Sequence, residues 1–340
     1  MPAPRLALAV LVAVAVAAPV AADPAPAPAP APAPERIRSL ATDRGRVFAI
    51  VQLAAGRTVI RALDGKLHPT AQLAAPAGVT LYTLAVSPDH RDLAVARSDG
   101  AIWILDPATL HERRTVHVTG KIVELPGATG VSEDLFGEVR GLGYTPTGKL
   151  VSISEYGALC FADKAICYDA MPSSTGVIPA GQLASFGVAG ERAVFAWRAS
   201  KLVVLQPGTA PVALGRDFKL PDNLAEVLAA APTGWVALSY MTNTVDLLKA
   251  DVQLQLPAPR VAALAFSPSG RYLAIATRDE VERYDLRCID QAPPPMQTVS
   301  PAGAPAATAV IVTDRGVVIT GDAAGHVTTT AADDAPTPKC

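Results

Sequence analysis

Short apolar runs, each broken by a polar corner, return along this chain at intervals of roughly 40–45 residues. Leu84-Ala85-Val86 leads into Ser87-Pro88-Asp89-His90-Arg91-Asp92 and then Leu93-Ala94-Val95-Ala96. Leu264-Ala265-Phe266 leads into Ser267-Pro268-Ser269-Gly270-Arg271-Tyr272 and then Leu273-Ala274-Ile275-Ala276. The pattern predicts a strand, a tight turn and a second strand. Pro presets one φ at such a corner and Gly permits a positive φ at the next. Fainter copies centre on Gly45, Gly148, Gly190, Gly234 and Gly316. With His90 and Gly270 they make seven corners, at successive gaps of 45, 58, 42, 44, 36 and 46 residues. His90 stands where every other copy has Gly, which makes the second corner the weakest of the set.

A second marker keeps the same register. About ten residues after each corner comes a Gly or small polar residue: Gly56, Gly100, Gly157, Ser200, Asn243, Asp279 and Gly325. Apolar or β-branched runs follow, among them Ala101-Ile102-Trp103-Ile104-Leu105 and Leu202-Val203-Val204-Leu205. Several are capped by Asp: Asp106, Asp163 and Asp285. Weaker fourth runs, such as Leu110–Val116 and Ala165–Tyr168, complete the unit. Four-strand units of ~40–45 residues are propeller blades, stacked round an axis so that each buries its faces against its neighbours. The expected fold class is therefore all-β, a β-propeller of seven four-stranded blades, with seven favoured over six or eight. A β-sandwich pair lacks such a recurrent marker, and β-helix coils are much shorter.

At Leu84–Asp106 and Leu264–Asp285 the chain resembles the WD-repeat and WD-like β-propellers, including the TolB and YVTN types. The likeness extends weakly from Ile37 to about Thr330. It departs from the repeat signature in two ways. No Gly-His pair opens the blades, and Leu105-Asp106 and Tyr284-Asp285 stand where Trp-Asp would be, which puts the family's buried His–Asp network in doubt. The resemblance implies protein binding on the rim or top face. Ring closure calls for one terminus to complete the last blade, and both Glu35–Leu40 and the C-terminal tail are candidates.

The ends read differently from the middle. Arg5, the thirteen-residue apolar stretch Leu6–Ala18 and the small residues Val20-Ala21-Ala22 form a secretory signal peptide, residues 1–22. Residues 23–35 are an Ala/Pro-rich linker. Its strict alternation over Pro24–Pro34 excludes helix and predicts a polyproline-like spacer reaching about 34 Å. The propeller domain takes residues 36–332 and a polar tail takes 333–340. Localisation is expected to be exported, periplasmic or extracellular, with no stable membrane span after signal cleavage. The net charge of −2, with no basic stripe and no aromatic platform, argues against nucleic acid. The domain is expected to be a monomer with no cofactor.

Four cysteines suit an oxidising compartment. Cys160 and Cys167 lie symmetrically about Asp163-Lys164, so a hairpin there sets them opposite each other, within disulfide reach. A second, weaker pairing joins Cys288 to Cys340. Neither spacing suits zinc.

No nucleophile elbow, metal-binding helix motif or phosphate loop is present. His111 and His117 fall on one face of an outer strand, which solvent exposure explains better than a metal. The one irregular element is the connection within the 58-residue gap. Its Glu124, Glu133, Asp134, Phe136 and Glu138 make it the candidate binding loop, since long loops on rigid scaffolds often carry recognition. Two functional readings follow. One is an exported, non-catalytic protein-interaction scaffold working through its rim or top-face loops. The alternative is a propeller hydrolase, lactonase-like and metal-assisted, or a small-ligand sensor, using acids or polar groups at the mouth of the central channel.

Overall fold

A computed structural model of the chain describes residues 35–123, 137–155, 157–162, 166–169, 186–197, 201–206, 212–214, 227–239, 243–249, 252–289, 296–300 and 305–330. They form seven small sheets in chain order. The first holds β1 (Arg36–Asp43), β2 (Arg46–Gln52), β3 (Thr58–Leu63) and β4 (Pro69–Ala74), and the second β5 (Leu81–Val86), β6 (Leu93–Arg97), β7 (Ala101–Leu105) and β8 (Glu112–His117). After β9 (Lys121–Val123), the third holds β10 (Val139–Tyr144), β11 (Leu150–Ser154), β12 (Ala158–Phe161) and β13 (Ile166–Asp169). The fourth is β14 (Phe186–Ala189), β15 (Arg192–Trp197), β16 (Lys201–Leu205) and β17 (Val212–Leu214), and the fifth β18 (Val227–Ala230), β19 (Val236–Ser239), β20 (Thr244–Lys249) and β21 (Val252–Pro257). The sixth is β22 (Val261–Phe266), β23 (Tyr272–Thr277), β24 (Val281–Asp285) and β25 (Met296–Thr298), and the seventh β26 (Ala307–Val312), β27 (Val318–Asp322) and β28 (Val327–Thr330).

Apart from β9, the strands within each sheet are antiparallel neighbours in sequence order. The first strands also touch one another in a cycle: β1, β5, β10, β14, β18, β22, β26 and back to β1. A strand that meets its equivalent on both sides must lie nearest the axis, so the ring of blades is closed.

Every predicted corner falls between the first and second strands of a blade. Gly45, Gly148, Gly190, Gly234, Gly270 and Gly316 all have positive φ, as does His90 at +62°. An L-residue in that region is strained by about 1 kcal/mol. The His90 imidazole Nδ1 lies 2.8 Å from the buried carboxylate of Asp43 on the preceding blade, a contact outside hydrogen-bond geometry.

Burial follows the alternation of strand residues. Both faces of β2 are covered: Phe48 and Ile50 face the second blade, while Val47, Ala49 and Val51 face the seventh. In β6, Leu93 and Val95 pack back onto the first blade, and the smaller Ala94 and Ala96 pack onto the third. In β23, Leu273 and Ile275 face the fifth blade, and Ala274 and Ala276 the seventh. A large face against a small one suits wedges that converge on an axis. Among the described residues a hydrophobic cluster spans each junction between adjacent blades, including the one joining the last blade to the first. This lets about three hundred residues share one architecture without one oversized core. Fully burying a side chain such as Phe48 or Phe161 stabilises the fold by roughly 1.5–3 kcal/mol.

The structure adds three details to the sequence expectation. The segment from Glu35 does not complete the last blade: β1 pairs with β2 and is the innermost strand of the first. Its approach to the seventh blade is made by packing, and a hydrogen bond of 2.6 Å from Thr308 Oγ1 to the Ile37 carbonyl crosses that seam. The third sheet has five strands rather than four, because β9 adds in parallel to the outer edge of β13. Part of what reads as an irregular connection is thus a strand. The seventh sheet has three strands among the described residues, and the tail beyond Thr330 lies outside them.

Cys160 and Cys167 are directly opposed in the β12–β13 register, with Cα atoms 4.0 Å apart, and form a disulfide. The Cys288–Cys340 pairing falls outside the described side chains, as do the signal peptide and the Ala/Pro linker. Among the described residues no helix is long and apolar enough to cross a membrane.

Candidate functional site

The two axial ends of the ring are built differently. At one end lie the corners between first and second strands; at the other, the innermost strands begin. The corner end is laced from blade to blade. Besides Asp43 with His90, Arg46 donates to the Pro107 carbonyl at 2.9 Å. Glu191 accepts from Thr147 N and Oγ1 at 3.0 and 2.7 Å and from Lys149 at 3.1 Å. Asp314 accepts from Ser269 N at 2.7 Å, and Arg283 donates to the Gly316 carbonyl at 2.6 Å.

Between the second and third blades a groove of about 700 Å³ opens at this end. Asp89, Asp92 and Arg114 line one side, and Tyr144, Thr147 and Lys149 the other. Burial, with Asp92 nearby, pushes the Tyr144 phenol above its ordinary pKa.

The opposite end is shaped by a repeated irregularity. Five innermost strands slip register just after their first buried residue, at Ile37/Ser39, Leu81/Leu84, Val139/Gly141, Val261/Ala263 and Ala307/Ala309. A bulge re-aims the side chain it carries. The slipped positions include Arg38, Tyr82, Arg140, Ala262 and Thr308. Three of them meet: the Arg140 guanidinium lies over the Tyr82 ring at 3.9 Å from its centroid, and that of Arg38 at 5.9 Å. The Tyr82 hydroxyl donates to Glu138 Oε2 at 2.6 Å. Arg140 pairs with Glu138 and, at 3.3 Å, with Glu155. Burial and that hydrogen bond to Glu138 push the Tyr82 pKa up to about 12, against the pull of both guanidiniums. Arg36, Ile37, Arg38, Tyr82 and Thr308 line an open pocket of about 290 Å³. Beside it Glu35 takes a two-point ion pair from Arg61 at 2.7 and 3.0 Å, and the Arg61 hydrogen bond holds its carboxyl below the usual range.

Of the candidate binding residues, Glu138 sits at this mouth with its carboxylate engaged by Tyr82 and Arg140. Glu124, Glu133, Asp134 and Phe136 lie outside the described residues. Among the described residues no group of three or more His, Cys, Asp or Glu is placed to hold a metal ion. The mouth constellation was missed in sequence because its members come from four blades. One signal could have found it: Arg38, Tyr82, Arg140 and Thr308 each lie seven or eight residues before their corner, so a column of the repeat alignment holds them all.

No family model and no curated protein matches the chain. Its fold is similar to that of a chain in the crystal structure of the mitotic checkpoint complex. That match has TM-score 0.60 and 13% identity, over 95% of this chain and 99% of the other. The likeness is one of fold, that of a β-propeller.

Proposed function

We propose that this chain is an exported, non-catalytic scaffold that binds a protein partner through loops on the propeller's rim and face, and that it belongs with the WD-like propellers of the TolB and YVTN kind. The observation that carries this reading is the elaboration of one junction on a ring that is regular among the other described residues. Between the second and third blades the chain adds the parallel strand β9 and the acid- and Phe-bearing insertion, and the corner end there leaves a groove of about 700 Å³. A rigid ring with one elaborated junction suits docking better than chemistry, because loops on a fixed scaffold can present side chains without disturbing the core. Fold alone does not assign the role. The working state is a secreted monomer whose mature chain begins at Asp23, without nucleic acid, membrane span or cofactor.

The test is affinity capture from cell-envelope extract with the full chain and with residues 124–136 replaced by a short Gly/Ser linker that keeps β9 and Glu138. Loss of a specific partner in the second capture supports the insertion as the docking element. Capture of the same partner by both forms removes it.

A further inference from the structure

The channel mouth carries more positive charge than its carboxylates answer. Arg140 is matched by Glu138 and Glu155, and Arg61 by Glu35. Arg38 spends only its Nε, on the neutral Gln52 amide at 3.0 Å, and Arg36 has no ion pair among the described residues. Buried Arg140 Nε also has no hydrogen-bond partner among them. Burial, together with the like charges of Arg36 and Arg140, holds the Arg38 pKa below its ordinary value. A protein leaves guanidiniums converging without counter-charge only at an energetic cost, and a bound anion removes it. Guanidinium forks bind carboxylate and phosphate oxygens at two points, which makes Arg the usual choice for such groups.

We infer that the open pocket between Arg36, Arg38, Tyr82 and Thr308 is a binding site for a small oxyanion, a phosphate or carboxylate group, held by the free guanidinium ends of Arg36 and Arg38. A pocket of about 290 Å³ lies at the small end of ligand sites and admits a phosphate or a short dicarboxylate. The Tyr82 ring is clamped by Arg140 and by its bond to Glu138, so the wall opposite Arg38 is preorganised. The bulges place these side chains on the innermost strands, which the ring holds fixed. This inference does not depend on the docking function proposed above.

The full chain is titrated calorimetrically, and melted, with inorganic phosphate and with succinate, against sodium chloride at matched ionic strength. Saturable binding of at least one oxyanion, with a raised melting midpoint beyond that in chloride, is expected. Phosphate alone, succinate alone, or both would name the group the site prefers. Arg38→Gln is expected to weaken binding about tenfold or more. Arg36→Gln, which alters an exposed side chain and leaves folding untouched, should weaken it as well. Lys66→Gln, a charge-matched change on a distant exposed turn, should leave it unchanged. No stabilisation beyond chloride by either anion, or equal affinity in wild type, Arg36→Gln and Arg38→Gln, would overturn the inference.

Discussion

The junction between the first and second blades is pinned at both ends, at the mouth by Leu81 N, which donates to Thr58 Oγ1 at 2.9 Å, and by Ser39 with Thr83. Among the described residues the one between the second and third is pinned at the mouth alone. The first is held at the corner end by Asp43 with His90 and Arg46 with Pro107, over a core containing Phe48, Ile60 and Trp103. The second is held at the mouth by Tyr82, Glu138 and Arg140, over a slimmer core of Ala94, Ala96, Ile102, Ile104, Val139 and Leu150. Its corner end is left as a groove. The ring therefore does not need every polar staple at every junction. The apolar wedge supplies most of the closure, and polar contacts can be withdrawn from one end where a surface is wanted.

The largest effect that separates the two should come from their cores. Phe48→Ala is expected to lower stability by about 3–5 kcal/mol, and Leu150→Ala by about 2 kcal/mol, in denaturant titrations. Equal losses would mean that the two junctions are packed alike. Next comes the disulfide, which lies in the third blade on the far side of the slimmer junction. Replacing Cys160 and Cys167 by Ser should cost roughly 2 kcal/mol, since the loop it closes is short. Thiol titration of the native chain should find neither of these sulfurs free until reductant is added.

The smallest effect concerns the corner at His90. His90→Ala keeps a side chain at positive φ but strips the contact from buried Asp43, and should destabilise by about 1 kcal/mol. His90→Gly loses the same contact yet relieves the backbone, so it should be close to neutral. If Gly proves as damaging as Ala, the left-handed strain assigned to this residue is absent.

The corners were legible because a positive φ demands a particular residue. Gly at 45, 148, 190, 234, 270 and 316 marks them directly. His90 broke the pattern because its contact, Asp43, lies on another blade and has no local signature. The hairpin disulfide was legible for the same reason as the corners: two cysteines symmetric about a turn must face each other. The mouth was not legible, because Arg38, Tyr82 and Arg140 are brought together only when three innermost strands stand side by side. Strand β9 escaped notice because a three-residue parallel addition has neither a turn nor an alternating pattern to announce it. Ring closure was left open in the sequence for a comparable reason. Sequence offers two termini as partners for the last blade, whereas β1 meets it by packing and the Thr308–Ile37 hydrogen bond, without strand pairing.

That seam decides the architecture. Gly321 of the last blade lies so close to Ile37 of the first that a Cβ added there would collide with the Ile37 side chain. Stability measurements on Ile37→Ala, Gly321→Ala and the double variant form a cycle across the closure. Ile37→Ala should cost about 2–4 kcal/mol and Gly321→Ala about 1–3 kcal/mol. In a closed ring the double variant loses less than their sum, by about 1 kcal/mol, because removing the Ile37 γ-carbons takes away the nearest clash with the added methyl and leaves only the residue 37 Cβ to shift. Strict additivity would mean that these two residues never meet, and that the chain does not close into a ring.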